Sequence, residues 1–228
     1  MNLNIQNRLL RTAALLLLLS AQACISSDET RTFYLQEDGK IEMVLTHDNV
    51  RSSSEKANEK KTEEEKWLRE FRTGKLDEIK RLKTAKATEV SHTLLRKNLP
   101  YAGVIHGTFK SIDQLAVYLN FSDPKSGVTL ELKKSENTRT LIFHVKEKQD
   151  KDKKSTPENS SLSKTPREKN LYPIWKFVPE KGTITASSGC KISKSRDSCT
   201  LDLELIDQLE AQSKDGEYSI MMTWQLTP

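Results

Sequence analysis

Histidines and clustered carboxylates are the residues of this chain that could do acid–base or metal chemistry. No two of the four histidines lie two to four residues apart, as a pair of metal ligands on one strand or helix would. His47 and Asp48 form an adjacent base and acid, but their place at the end of a predicted strand favours a turn-forming aspartate over catalysis. The sequence therefore predicts no metal ligand and no catalytic residue. The histidines are His47, His92, His106 and His144.

Three consecutive glutamates, Glu63 to Glu65, offer a second cluster of carboxylates. Consecutive residues on a helix point in different directions, and neighbouring lysines neutralise these charges, so we interpret them as a solvated helix face. The chain also lacks the glycine-flanked serine of hydrolases, a Walker loop and a dinucleotide fingerprint. We expect a non-catalytic protein without a cofactor. The alternative is a secreted hydrolase whose site no motif marks.

The first 23 residues are typical of an export signal. Arg8 and Arg11 precede an apolar run, Ala13 to Leu19, that is too short to cross a bilayer as a helix. Ala21-Gln22-Ala23 then provides small residues at the two positions that a signal peptidase reads. We therefore predict that residues 1–23 are a signal peptide and that the protein is exported.

Cys24 directly follows this site, and the arrangement resembles the bacterial lipobox. The resemblance implies that Cys24 is the lipidation site, carrying acyl chains such as palmitate, and that the protein is a membrane-anchored lipoprotein of the cell envelope. In a Gram-negative cell Ile25 would favour the outer membrane, facing the periplasm. The lipobox usually has leucine and a small residue where this chain has Ala21 and Gln22, so cleavage by an ordinary signal peptidase, giving a secreted protein, is the alternative.

Two cysteines, Cys190 and Cys199, are left over if Cys24 carries lipid. An exported protein meets an oxidising compartment, so we predict a disulfide between them. Two reduced thiols or a metal pair are the alternatives. Zinc would need two further ligands at short spacing, and no other histidine or cysteine lies nearby.

Composition limits the partners. The chain has 228 residues, a formal net charge of +5 and 30% charged residues, with both signs mixed along its length. A nucleic-acid-binding protein needs a concentrated basic face, which this pattern does not provide. We expect no nucleic acid, contact with a membrane through the N-terminal lipid, and a protein partner in the envelope.

Hydropathy patterning predicts an α+β protein with two folded domains. Residues 24–30 are small and polar and predict a tether, and residues 31–147 predict a hairpin, helix and sheet domain. Residues 148–170 have one large apolar side chain and predict a disordered linker. Residues 171–228 predict a mainly β domain that contains the disulfide.

Local signals place the elements of the first domain. Gly39 predicts a hairpin turn, Ser52 with Glu55 predicts a capping box for a helical stretch to Lys83, and Gly74 predicts a break in that stretch. The remaining predicted elements are strands at 89–96 and 101–110, a helix from Ser111, and a hairpin over 128–133 and 141–145.

The last part of the chain alternates apolar and polar residues, which predicts strands at 174–178, 183–187, 200–205 and 218–226. The phrase from Phe177 to Ile184, with Gly189 and Trp224, resembles the LppM-type domain of bacterial lipoproteins, in which a proline-containing turn precedes a strand. It departs from that pattern at Glu180. The resemblance implies an envelope domain and no particular chemistry.

The leading hypothesis is therefore a non-catalytic binding or structural module of the cell envelope. A lipid-binding or small-ligand-binding protein is a further alternative. An apolar cavity between the helix at Ile112 and the sheet would be its mark.

Overall fold

The computed structural model describes residues 25–121, 126–147, 174–213 and 217–227. Cys24, the signal sequence and the predicted linker at 148–170 lie outside the described residues. The strands are β1 (Ile25–Leu35), β2 (Ile41–Ser52), β3 (Thr88–Arg96), β4 (Tyr101–Phe109), β5 (Ser126–Lys134), β6 (Thr138–Glu147), β7 (Ile174–Pro179), β8 (Thr183–Ser188), β9 (Cys190–Ile192), β10 (Cys199–Leu201) and β11 (Glu217–Gln225). The helices are α1 (Ala57–Arg72), α2 (Asp77–Thr84), α3 (Ile112–Asn120) and α4 (Leu203–Gln212).

Two sheets carry the fold, which confirms the predicted α+β class. The larger has seven strands in the order β3-β4-β2-β1-β7-β10-β9, and the smaller has four in the order β5-β6-β11-β8. Phe177 joins them, because its ring lies 5.1 Å from that of Phe33 in the larger sheet and 5.2 Å from that of Phe143 in the smaller. The apolar core lies between the sheets and under the helices.

The prediction of a separate C-terminal β domain is wrong. β7 pairs in parallel with β1, placing Phe177 beside Phe33, and β11 pairs with β6, placing Ile220 beside Phe143. Strands from residues 174–227 therefore complete both sheets that the first half begins. Composition marks residues 148–170 as a boundary, but strand pairing between distant segments is decided by the apolar faces that must be covered, and local patterns do not contain it.

Helices α1 and α2 cover one face of the larger sheet, because two glycines on β4 let them approach closely. A Cβ on Gly103 would lie 2.5 Å from the Phe71 ring of α1, and one on Gly107 would lie 3.0 Å from Leu82 of α2. The predicted break between these helices is confirmed at Gly74, which has a φ of +64°. That left-handed conformation is one that glycine adopts without strain.

The predicted tether is wrong for the residues that the structure describes. Residues 25–30 begin strand β1, where Ile25 lies opposite Ser52 and Glu29 opposite His47. Their polar side chains made them resemble a linker, but the backbone ladder with β2 and a buried polar network, described below, hold them in place. The folded body therefore begins one residue after Cys24.

Two local predictions are also wrong. Ser52 does not cap a helix: it ends β2, and its N–H donates to Glu64 of α1 at 3.1 Å. Glu64 is accordingly buried, not solvated. The stretch predicted as a strand over 200–205 contains the start of α4, because the Asp202 carboxylate accepts a hydrogen bond from the Leu205 N–H at 3.1 Å and caps the helix.

Candidate ligand-binding cleft

The predicted disulfide between Cys190 and Cys199 is present. It links β9 to β10 with an S–S distance of 1.97 Å and a Cα–Cα distance of 5.9 Å, and both cysteines are buried in the core. Its sulfurs are used in a cross-link that fixes the edge of the larger sheet. They offer neither a nucleophile nor a metal ligand.

His47 and Asp48 do not form a pair, because successive residues on β2 point to opposite faces of the sheet. His47 is buried beside Trp67, whereas Asp48 is exposed and pairs with Arg96 at 3.4 Å. His106 instead contacts Glu42 at 2.9 Å and His144 contacts Glu131 at 3.3 Å. Within the described ranges, no three histidine, cysteine, aspartate or glutamate residues are grouped as metal ligands.

A cleft of about 340 Å³ opens where the two sheets separate, at the β1–β2 turn and the start of α3. Its volume lies within the range of small-molecule sites, roughly 300–1,000 Å³. Six apolar side chains form its floor, drawn from β1, β2, α3, β5, β6 and β11. They are Leu35, Ile41, Ile112, Leu132, Leu141 and Trp224.

Strand register explains why these side chains converge. Leu132 on β5 lies opposite Leu141 on β6, which lies opposite Met222 on β11, so all three point into the core. The next inward row is Lys134, Arg139 and Trp224, at the end of the same three strands. The apolar floor therefore passes directly into a row that contains two cations and an indole.

A smaller recess continues from the cleft and shares six of its lining residues, including Lys134 and Trp224. Together the two concavities are lined by five cations and two carboxylates, so positive charge exceeds negative charge by three. The cations are Lys40, Lys110, Lys134, Arg139 and Lys181, and the carboxylates are Glu37 and Asp38.

Both carboxylates of the rim are already engaged. Lys181 donates to Glu37 at 2.8 Å, and this hydrogen bond and charge hold the pKa of the Glu37 carboxyl below its usual value. Lys40 likewise lowers the pKa of Asp38, through its ammonium and its backbone N–H. Within the described residues, no carboxylate lies within ion-pair distance of Lys110, Lys134 or Arg139. The charges of Arg139 and Lys134 also help to lower the pKa of Glu37 and Asp38, respectively, but at longer range, so the donors of all three cations are available to a ligand.

A buried polar network lies around the middle of β1, away from the end that lines the cleft. Arg31 is held between Glu29, at 3.3 Å, and Glu78 of α2, at 3.0 Å, and its guanidinium lies over the Trp175 ring. Tyr118 donates to Glu78 at 2.6 Å, and burial, the largest cause, together with that carboxylate, raises the pKa of the Tyr118 phenol. The network ties β1, α2 and α3 together.

His47 adds a titratable group to this network, since its Nδ1 lies 3.4 Å from Glu29. That separation is at the long limit of a hydrogen bond, so we treat the contact as electrostatic. Burial raises the pKa of the Glu29 carboxyl, but the polar contact and charge of His47 and the charge of Arg31 outweigh it and leave the pKa below its usual value. His47 does not line the cleft.

A second, shallow groove of about 460 Å³ runs between α3 and β5. Val117 and Phe121 on its helical side are 50% and 46% exposed. Among the described residues that line it, the groove has mainly apolar side chains and one charged side chain, Asp113. It is therefore less suited than the cleft to hold a ligand in a fixed orientation.

From the sequence, a cavity beside Ile112 was named only as the mark of the ligand-binding alternative, and the charged rim was missed. The signal was present in the alternation of β5, where Lys134 has the same parity as Leu132 and therefore faces inward. The contribution of Trp224 could not be found locally, because β11 reaches the site through its pairing with β6.

Comparisons with known proteins add little to this description. No protein-family model and no curated protein matches the sequence. Among solved structures, the chain is similar to the NMR structure of the folded domain of Mycobacterium tuberculosis LppM, with a TM-score of 0.39 and 8% sequence identity over 89% of this chain and 91% of that chain. Similarity at this level establishes neither the fold nor the function of this chain.

No helix in the described part of the chain has the length and apolar character needed to cross a membrane.

Proposed function

We propose that the protein is an exported, envelope-associated binding protein that holds an amphipathic small molecule in the cleft without changing it chemically. The observation that carries this proposal is the cleft of about 340 Å³, with its six-residue apolar floor under a charged rim. An apolar floor favours a hydrocarbon portion of the ligand, and a polar rim favours a head group that stays near water.

The chemistry of the rim supports binding over catalysis. Glu37 and Asp38 are the carboxylates of the site, and lysines lower the pKa of both, whereas a general acid needs a raised pKa. The buried base nearest to a carboxylate, His47, lies in the network and not at the cleft. We therefore assign a binding role to the rim charges.

The predicted export signal and the cysteine that follows it, Cys24, support the proposed location. β1 begins at Ile25 and ends at Leu35, which lines the cleft. Eleven residues of strand span roughly 33 Å. A lipid on Cys24 would thus attach at one end of β1, with the cleft at the other end. Intact mass of the mature chain beside a Cys24→Ser variant tests the anchor: acyl mass on the wild type alone is expected, and an unmodified Cys24 would contradict it.

Binding can be located with two tryptophan substitutions on α3. Ile112→Trp fills the cleft, whereas Val117→Trp enlarges a half-exposed side chain that lines the α3–β5 groove. Decyl glucoside, kept below its micelle concentration, serves as a neutral amphiphile, and isothermal titration calorimetry measures its Kd. Circular dichroism checks that each variant is folded.

We expect Ile112→Trp to weaken binding at least tenfold and Val117→Trp to leave it unchanged. Each methylene added to the alkyl chain is expected to tighten Kd about fourfold until the cleft is full, because burying a methylene contributes about 0.8 kcal/mol. No measurable binding by the wild type, or loss of binding in Val117→Trp instead of Ile112→Trp, would refute the proposal.

A further inference from the structure

We infer that the ligand of the cleft carries a phosphate head group, and that Lys134 and Arg139 bind it while the alkyl chain lies on the apolar floor. This inference rests on the proposed function, since it specifies the ligand class of the same site. It follows from the position, pairing and geometry of the rim cations.

The register of the paired strands β5, β6 and β11 fixes the position of the rim cations. Lys134, Arg139 and Trp224 lie opposite one another on β5, β6 and β11, and therefore share the inward face that carries the floor. Lys134 also lies over the β1–β2 turn, with its Nζ 3.7 Å from the point that a Cβ on Gly39 would occupy. Its ammonium thus stands at the junction between the cleft and the smaller recess, both of which it lines.

Arg139 is fixed in place and still has donors to offer. Its Nη1 donates to the carbonyl oxygens of Ser135 in the β5–β6 turn and of Thr138, the first residue of β6. A guanidinium has five N–H donors, and within the described residues none of those on Nε or Nη2 has an acceptor. A planar fork held in this way matches two oxygens of a phosphate, which is the geometry that Arg recognises best.

The balance of charge favours an anion over a neutral head group. The carboxylates of Glu37 and Asp38 are neutralised by Lys181 and Lys40, so the cations left over, among them Lys110, Lys134 and Arg139, set the local potential. Burying a hydrocarbon chain beside unpaired cations without an anion would leave the cations partly desolvated, which costs free energy. A phosphate at the end of the chain removes that cost.

The test compares four probes by calorimetry: decyl phosphate, decyl glucoside, decanoate and inorganic phosphate. Lys134→Gln and Arg139→Gln remove the proposed contacts. Lys133→Gln is the matched control, because it makes the same change of charge one residue away, where the side chain is 61% exposed on the outer face and pairs with Glu131.

We expect decyl phosphate to bind more tightly than the other three probes. Lys134→Gln and Arg139→Gln should each weaken it about three- to tenfold without changing the Kd of decyl glucoside, and Lys133→Gln should change neither. Raising the salt concentration from 50 to 500 mM should weaken decyl phosphate selectively.

The outcomes separate the two proposals. Equal binding of decyl phosphate and decyl glucoside, or an equal loss in Lys133→Gln and Lys134→Gln, would overturn the phosphate inference and leave the cleft as an amphiphile site. Binding of inorganic phosphate as tight as that of decyl phosphate would overturn both, because the chain would then contribute nothing. Decanoate binding as tightly as decyl phosphate would overturn the choice of phosphate over carboxylate.

Discussion

Glu78 is the residue through which the buried polar network can be tested most sharply. Its carboxylate lies 3.0 Å from Arg31 and accepts the Tyr118 hydroxyl at 2.6 Å, and the side chains of Glu78 and Arg31 are each 11% exposed. In Glu78→Ala the Arg31 charge loses its nearest partner and the Tyr118 hydroxyl loses its acceptor. Breaking a buried ion pair on one side typically costs about 3–5 kcal/mol.

We expect a loss of about 3 kcal/mol in the free energy of unfolding, at the lower end of that range because Glu29 stays 3.3 Å from Arg31. For a chain of this size, this corresponds to a melting temperature lower by about 6–12 °C. Urea unfolding followed by tryptophan fluorescence, together with thermal denaturation, measures both quantities.

Lys80→Ala on the same helix is the control. Lys80 pairs with Asp77 at 2.7 Å, but the two side chains are 60% and 80% exposed, so its removal should change stability by less than about 0.5 kcal/mol. The double variant Arg31→Met with Glu78→Ala should be more stable than Glu78→Ala alone, because it removes the unpaired buried charge. A loss below about 1 kcal/mol in Glu78→Ala, or one equal to that of the control, would refute this account of the network.

Three further predictions concern stability. Because the pKa of Glu29 is lower in the folded than in the unfolded state, its ionised form stabilises the protein above the unfolded-state pKa near 4.5, and this contribution is lost as the pH falls through the folded-state value. The urea midpoint should therefore fall less steeply between pH 6 and pH 3 in Glu29→Gln than in the wild type, and parallel curves would contradict this. Gly103→Ala should lower the free energy of unfolding by about 1–3 kcal/mol, since its Cβ would lie 2.5 Å from the Phe71 ring. Adding Phe71→Leu should recover part of that loss in a double-mutant cycle, and full additivity of the two changes would count against the predicted clash. Replacing both Cys190 and Cys199 by alanine should lower the free energy of unfolding, measured in urea, by about 2–3 kcal/mol according to the loop-entropy relation. A reductant should destabilise the wild type but not this variant, and equal sensitivity of the two proteins to the reductant would show that the cross-link does not form.

Elements defined by local patterns were predictable from the sequence. The β1–β2 hairpin follows from Gly39, the inward face of β5 and β6 from their alternation, and the helix break from Gly74. With Cys24 assigned to lipidation, the two remaining cysteines likewise predicted the disulfide that the structure contains. In each case the deciding interactions lie within about ten residues or follow from the chemistry of one residue type.

What the sequence could not predict depends on partners far along the chain. Ile25 to Thr30 look like a polar tether until Glu29 is placed beside His47 and near Arg31, which makes a polar segment part of a paired strand. The alternation of Leu201, Leu203 and Leu205 favours a strand, but the capping carboxylate of Asp202 starts α4 at Leu203, and the cap decides the outcome.

The cleft shows both what the sequence could predict and what it could not. Its position beside Ile112 was anticipated as the mark of a ligand-binding protein, because an apolar helix face had to meet a sheet. Its lining was not, since Leu35, Leu132 and Trp224 meet only after β11 has paired with β6 and the two sheets have packed. In the charged rim, Lys134 could be placed from the alternation of β5, whereas Lys40, Lys110 and Lys181 lie in or beside turns, where alternation does not indicate direction.

The most direct test of the central claim is an NMR titration of the isotope-labelled Cys24→Ser protein with decyl phosphate, with backbone amides assigned. The account predicts that chemical-shift changes concentrate at the cleft, including Leu35, Gly39, Ile112 and Leu132, and leave β3 and β9 at the far edges of the larger sheet unchanged. Changes centred on Val117 and Thr129 in the α3–β5 groove, or spread evenly over the surface, would contradict it.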